Sequence, residues 1–348
     1  MIRFGLLVFV FISFTYAFTF AQTPYVYRNL VLEGGGIRGI AYGGALAELE
    51  QRAILPQIIR VAGTSAGAIQ AVLLAVGYSP KEISDITFKT PIQKFTDGRF
   101  IFFGGFHRLR NRYGWYRGEK FKSWLERLIA AKTGNPHLTF AQLHLLAGIN
   151  NCRDFYATGT NLTKQRVEIF SHETSPNMKI SDAVRISMSI PLFFQAVFVD
   201  SAGNIIPNPK KGQSADILVD GGIIANYPLN LFDEPKYFTG TDLPVKLPFY
   251  NPETLGLRLD TDQQIAYDQT QSGLAPLPVL NFTEYVSAFY TMVIESLNRP
   301  QLQPEDWERT ISVSTKGYGA RIRRLSEKDK VILLTSGHEG VQQFFRNK

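Results

Sequence analysis

The 348-residue chain is 45% hydrophobic and 19% charged, with 29 Gly and 18 Pro; this ordinary globular usage excludes collagen-like, low-complexity and wholly disordered readings, and the length suits one large enzyme domain or two small ones. A single cysteine, Cys152, excludes an intrachain disulfide framework and a Cys-rich zinc module, and five histidines without an HExxH pair exclude a zincin site. The net charge of +7 suits an anionic membrane surface or substrate, or serves solubility alone, and the absence of a sustained basic run argues against nucleic acid as a partner.

The first 21 residues differ from the rest. Met1 to Arg3 supply a short positive start, Phe4 to Phe20 carry no charge, and Thr19 and Ala21 are small residues at a cleavage position. The segment reads as a signal peptide over residues 1–21, which predicts an exported protein. Its apolar run is slightly short of the roughly 18 to 20 residues of a spanning helix, so an uncleaved anchor through residues 4–21 is the alternative. It lacks the polar face of a buried first helix.

Residues 22–348 read as one domain of alternating strands and helices. Leu30–Leu32 is a strand, followed by a glycine cluster and a helix from Arg38 to about Arg52. Ile58–Gly63 is a second strand, followed by a helix from Ala66 to Val76 and another from Pro80 to about Thr87. Phe121, Leu125, Leu128 and Ile129 fall at helical spacing in Glu119–Lys132. Asp154–Gly159, Val167–Phe170 and Ile217–Val219 are strands, and Phe282–Leu297 and Ser326–Phe345 have helical patterns. This alternation predicts a mostly parallel α/β sheet covered on both faces.

Three short motifs carry the chemistry. Gly34-Gly35-Gly36-Ile37-Arg38-Gly39 lies between a strand and a helix. It matches G-x-G-x-x-G literally, but the second strand lacks the acid that would hold a ribose, and Gly39 is not followed by the Lys of a phosphate-binding loop. What remains is a set of backbone N–H groups at a helix start, suited to an anion. Gly63-Thr64-Ser65-Ala66-Gly67 is a G-x-S-x-G elbow at a strand-to-helix junction, which lifts a serine hydroxyl above the sheet edge; the alternative is a tight turn with Ser65 as N-cap. Asp220-Gly221-Gly222 follows a short strand and offers a carboxylate as base. The chain order Ser65, Asp220, His338 also admits an α/β-hydrolase triad, although His338 sits inside the last helical pattern. His107, His137, His144 and His172 have no supporting motif and read as surface or structural residues.

Together these residues resemble the patatin-like phospholipase family. The resemblance rests on the glycine loop at 34–39, the elbow at 63–67 and the D-G-G at 220–222. Asp182 to Phe193, Asn226-Tyr227-Pro228 and Ala157 to Asn161 also look like family segments, so it covers about residues 30–238. It implies a three-layer α/β/α sandwich and a serine–aspartate dyad: Ser65 as nucleophile, Asp220 as proton acceptor, and the N–H groups of Gly34, Gly35, Gly36, Ile37, Arg38 and Gly39 as oxyanion hole. Gly63, Gly67, Gly221 and Gly222 support the turns. It further implies phospholipid or other acyl-lipid esters as substrate, a lipid surface as working place, and no cofactor or metal. A lipid acyltransferase would share the acyl-enzyme, and a non-catalytic lipid- or nucleotide-binding protein would share the fold. Arg38 suits either an added positive charge beside the oxyanion or a structural helix-end residue. A calcium loop at Asp260-x-Asp262 fails, since Ile265 and Gln271 stand where its glycine and glutamate belong. With an ordinary carboxylate as base, the pH–rate profile is expected to lack the inflection near 6 to 7 of a histidine base.

Arg99 to Lys122 interleaves aromatics (Phe100, Phe102, Phe103, Phe106, Tyr113, Trp115, Tyr116, Phe121) with Arg108, Arg110, Arg112 and Arg117. It reads either as a lid or interfacial patch, with arginines on anionic phosphates, or as an insertion packed on the body with a solvated basic rim.

Overall fold

The structure is a computed structural model, and it describes residues 26–348 apart from 91, 99–102, 211, 242–247, 271, 300–301 and 320–323. The expected signal segment lies outside the described residues, as do Phe100 and Phe102 of the basic-aromatic stretch.

Ten strands are present among the described residues: β1 (Asn29–Leu32), β2 (Arg60–Gly63), β3 (Gly114–Tyr116), β4 (Asp154–Asn161), β5 (Arg166–Phe170), β6 (Leu192–Phe194), β7 (Val197–Val199), β8 (Asp216–Asp220), β9 (Thr254–Asp260) and β10 (Thr310–Ser314). Eight form one sheet in the order β10-β9-β1-β2-β4-β8-β7, with β5 paired to β4. The run from β10 to β4 is parallel, and β5, β7 and β8 are antiparallel additions at one end. β3 and β6 form a separate small pair.

Eleven helices accompany them: α1 (Ala41–Gln51), α2 (Ala66–Ala75), α3 (Pro80–Lys89), α4 (Phe103–Arg112), α5 (Glu119–Thr133), α6 (Phe140–Leu146), α7 (Ile180–Ser187), α8 (Asp262–Gln269), α9 (Phe282–Asn298), α10 (Pro304–Trp307) and α11 (Glu327–Arg346). Alternation along the strands sorts the two faces of the sheet. Leu30, Leu32, Leu255, Leu257 and Leu259 join the large core under α1, α2, α5, α7 and α11. Val31, Ala62 and Tyr156 point the other way, into a smaller cluster with Tyr227, Leu229, Phe232 and Tyr237. This second face is covered by 3-10 turns at Leu229–Phe232 and Pro235–Tyr237, and Arg258 of β9 reaches Glu295 of α9 there. The expected α/β/α layering is therefore present, with one thick layer and one thin layer.

Two parallel strands of this sheet, β9 and β10, escape the reading of hydrophobic runs. β9 is buried along its whole length but carries Arg258 and Asp260, and β10 is the short, hydroxyl-rich Thr-Ile-Ser-Val-Ser. Their charges and hydroxyls find partners only in the folded chain.

Candidate active site

Strand pairing brings Ser65 and Asp220 together. β2 runs parallel to β4 and ends with Gly63 opposite Ala157. β8 runs antiparallel to β4 and ends with Asp220 opposite Gly159. Because β5 occupies the other edge of β4 at Ala157 and Gly159, β2 and β8 share one edge and their C-terminal ends meet head to head across Thr158. Gly221 is needed at this junction, since a Cβ there would stand 2.1 Å from Thr158 Oγ1.

Ser65 stands at the N-cap position of α2 with φ 52° and ψ −118°, but its side chain makes no capping bond, so the hydroxyl is not used to close the helix. A non-glycine residue holds such a backbone only when its surroundings enforce it. Enforcement comes from the tight elbow: a Cβ on Gly67 would meet the Leu32 carbonyl oxygen at 2.2 Å, and one on Gly63 would meet the Gly67 backbone at 2.4 Å. Ser65 N–H donates to Ser187 Oγ at 2.9 Å, and its hydroxyl donates to Asp220 Oδ2 at 2.8 Å, with Met188 Sδ 3.5 Å away. Asp220 Oδ1 accepts the Gly222 N–H at 2.7 Å, and Asp220 N–H donates to the Ser189 carbonyl.

Burial pushes the Asp220 carboxyl up to about 7, against the lowering effect of the Gly222 and Ser65 hydrogen bonds. This corrects the expectation of an ordinary carboxylate. Removing the charge from water outweighs two hydrogen bonds, so the expected absence of an inflection near 6 to 7 no longer follows from an aspartate base.

The glycine loop follows β1. Gly34 N–H is taken by the Asn226 carbonyl and Arg38 N–H by the Gly35 carbonyl. Gly35, Gly36 and Ile37 have N–H groups without a partner among the described residues, the ordinary condition at the start of a helical turn. The six-residue loop thus narrows to three donors. Arg38 donates through Nε to the Gly35 carbonyl and through a guanidinium N–H to the Leu259 carbonyl, so it ties the loop to β9. Gly39 lies within the 3-10 turn Gly36–Ile40 that leads into α1.

A model of the patatin-like phospholipase family matches residues 30–233, well over half of the chain. The chain belongs to this family. It is 28% identical over 320 residues to protein R571 of Acanthamoeba polyphaga mimivirus, covering 91% of this chain and 93% of that one. It is 27% identical over 214 residues to the probable lipid hydrolase 463L of Invertebrate iridescent virus 6, covering 62% and 66%. To the cGAMP-activated phospholipase of Vibrio cholerae it is 29% identical over 221 residues, covering 58% and 55%. VipD from Legionella pneumophila has a similar fold, with a TM-score of 0.61 at 15% identity over 92% of this chain and 67% of VipD.

Several residues that hold Ser65, Asp220 and the glycine loop in place lie outside the three motifs and had no role assigned from the sequence. Arg185 is fully enclosed, and its guanidinium donates to Ser189 Oγ and to the carbonyls of Arg117 and Gln195. It anchors the turn through which Ser187 and Ser189 bond Ser65 and Asp220, and burial lowers it to about 10. Asn226 donates to Glu33 Oε1 and to the Gly34 carbonyl. Its own N–H donates to Asn298 Oδ1 at 2.6 Å, and Asn298 Nδ2 donates to the carbonyls of Gly222 and Ile223. Asn298 of α9 therefore joins the D-G-G turn to the glycine loop from outside the residues that the family model matches.

The histidines lie elsewhere. His338 faces Glu48 of α1 at 3.0 Å and Gln342 on its own helix, so it does not complete a triad with Ser65 and Asp220. His107 contacts Asn111, and His137 faces Glu126. His144 and His172 stack 3.9 Å apart beside Asp154, at the far end of β4 from Ser65 and Asp220. None of the five bonds to Ser65 or Asp220.

A cavity of about 990 Å³ opens beside the elbow, with Gly36, Ile37, Ala66, Ile69, Phe95 and Met188 in its wall. It stands at the upper end of the range for small-molecule pockets, ~300 to 1,000 Å³. Lys89, Lys94 and Lys330 also line it. The basic-aromatic stretch is largely built into the body. Arg108 is buried and donates to the Trp115 carbonyl, Phe121 is in the main core, and Tyr116 packs on Phe193 and Phe194. Arg108 thus serves packing, not phosphate contact, whereas Phe106 and Tyr113 are exposed.

Proposed function

We propose that the protein is a serine lipid acyl hydrolase in which Ser65 and Asp220 form the catalytic dyad. The observation that carries this reading is the 2.8 Å bond from the Ser65 hydroxyl to a buried carboxylate, in a strained elbow next to unpartnered loop N–H groups. Ser65 Oγ attacks the ester carbonyl carbon while its proton passes to Asp220 Oδ2. Negative charge grows on the carbonyl oxygen, where the N–H groups of Gly35, Gly36 and Ile37 are the donors; one such donor typically lowers the barrier by roughly 3 to 4 kcal/mol. Collapse breaks the ester bond, and the departing alkoxide takes the proton from Asp220. A water then gives a proton to Asp220 and attacks the acyl-enzyme, releasing the fatty acid and restoring Ser65.

An aspartate raised to about 7 is a stronger base than an ordinary carboxylate and still ionised above neutrality, as general-base work requires. The apolar wall of the cavity suits an acyl chain. Family membership and the similarity to a probable lipid hydrolase support ester lipids as the substrate class. Export through cleavage near Gln22 completes the reading, with an N-terminal sequence starting there as its check.

A fluorophosphonate probe tests the activated serine: the wild type labels covalently, Ser65→Ala does not, and an unlabelled wild type overturns the proposal. Mass spectrometry of products from a mixed lipid extract separates fatty acid release from acyl transfer to an alcohol.

A further inference from the structure

Helix α9 is amphipathic in the reverse of the usual sense. The stripe turned toward the body comprises Ala288, Thr291, Ile294, Glu295 and Asn298. Glu295 bridges Arg258 and Arg299, and Asn298 holds the D-G-G turn and Asn226. The opposite face carries Phe282, Tyr285, Val286, Phe289, Met292 and Val293, all exposed, and the approach to the helix adds Leu277, Val279 and Leu280. Leu280 and Phe282 are 85% and 80% exposed. Tyr285 to Ile294 contains no charged residue, and Glu295 is already neutralised by the two arginines. Soluble monomers rarely expose a contiguous apolar patch of more than a few hundred Å², so this face is built to be covered.

We propose that this face of α9, with Leu277 to Leu280, is the surface that docks the protein on a lipid bilayer beside its active site. Three observations select lipid over a protein partner. The face mixes aromatic and aliphatic side chains and offers no charge, which suits the boundary between headgroups and acyl chains. It borders the dyad: Asn298 on the inward stripe of the same helix bonds the turn after Asp220, and Tyr290, at the edge of the exposed face, has its phenol raised by burial and then by the Asp220 charge. The helix has 17 residues, about 25 Å, and no helix among the described residues is long and apolar enough to cross a membrane, so α9 lies along the surface. The inference rests on the lipid-hydrolase reading for its purpose, while its test does not depend on catalysis.

The test uses full-length Ser65→Ala protein, which leaves vesicles intact, and phosphatidylcholine–phosphatidylglycerol vesicles in co-sedimentation. Adding Leu280→Glu, Phe282→Glu and Phe289→Glu is expected to weaken vesicle partitioning by about tenfold or more. In the active background the same triple change is expected to reduce hydrolysis of vesicle phospholipid and to spare a monomeric short-chain ester. A separate Phe289→Trp change, compared with its parent, is expected to add fluorescence quenched by brominated acyl chains, which keeps the idea testable if the triple variant misfolds. Unchanged partitioning, together with no quenching of the indole added by Phe289→Trp, overturns the proposal. So does a dimer that the triple change dissociates without loss of vesicle binding, which would assign the face to a second copy. If neither ester is hydrolysed by the wild type while partitioning still depends on the three residues, the docking surface stands and the enzymatic reading falls.

Discussion

Helices α9 and α11 share an amphipathic pattern and a place in the C-terminal third, yet they face opposite ways. α11 turns Leu333, Ser336, Gly337 and Val341 inward. It lies so close on α1 that a Cβ on Gly44 would stand 1.8 Å from the Leu334 carbonyl oxygen, and one on Gly337 1.9 Å from that of Ala41. α9 turns Glu295 and Asn298 inward and Phe282, Tyr285 and Phe289 outward. Periodicity establishes that a helix has two faces; the ground beneath it decides which one is covered. Under α11 that ground is an apolar, glycine-lined seam. Under α9 it is a buried guanidinium that needs a carboxylate and the turn after Asp220, whose carbonyls need an amide. One helix completes the body and the other braces the site.

The largest effects should fall on the dyad that α9 braces. Ser65→Ala and Asp220→Asn are each expected to slow acylation by roughly 100- to 10,000-fold, with the double change little worse than either, because the two groups act as one unit. Near-normal rates in either single variant would leave α9 with no site to serve. In the wild type, Asp220 must be ionised to accept the proton, so kcat/KM should fall as pH drops through about 7. The same raised value affects stability in the opposite direction. Between the ordinary carboxylate range near 4 and about 7 the unfolded chain loses a proton that the folded one keeps, so ionising Asp220 weakens the fold as pH rises through that window. Asp220→Asn should therefore be more stable than wild type at pH 8, by on the order of a few kcal/mol, and this margin should shrink toward pH 4. A constant margin in thermal melts would contradict the burial of Asp220.

Next comes the seam under α11. Gly44→Val places a side chain against backbone, and overpacking of this kind costs about 1 to 3 kcal/mol, occasionally more. Leu280→Glu, in the exposed approach to α9, should stay within about 0.5 kcal/mol of the parent. Equal losses in denaturant titrations would erase the contrast between the two helices.

Asn298→Ala removes the bonds to Asn226 N–H and to the Gly222 and Ile223 carbonyls, and a buried group left unpaired costs about 1 to 3 kcal/mol. As Asn298 positions the loop without touching substrate, the fluorophosphonate labelling rate should fall while KM for a soluble ester holds. Asn298→Asp keeps the acceptor for Asn226 N–H and should recover part of the rate. A fall in melting temperature without a change in labelling would reduce Asn298 to a packing role.

The smallest effect is expected for His338→Gln, which touches only the α1–α11 seam through the partly exposed His338–Glu48 contact. A stability change under about 1 kcal/mol and unchanged turnover are expected. A folded His338→Gln protein as inactive as Ser65→Ala would restore the triad.

The amino-acid order by itself determined the features whose causes are local. A strand, a glycine-flanked serine and a helix lie within Arg60–Ala75, so the elbow was legible, as were the glycine loop after β1, the D-G-G after β8 and the helices α2, α3, α5 and α11. Small residues at fixed offsets state what the backbone must do there. Tertiary structure alone decided the rest, because the partners are far apart in the chain. It set β8 end to end with β2, seated Arg258 on Glu295, and tied Asn298 to a turn some 75 residues earlier. It took the Arg108 side chain out of solvent, and it enclosed Asp220 until desolvation moved its carboxyl to about 7. It also chose the outward face of α9. A local pattern carries the period of a helix, whereas its orientation follows from the summed demand of buried polar groups brought to it by the sheet.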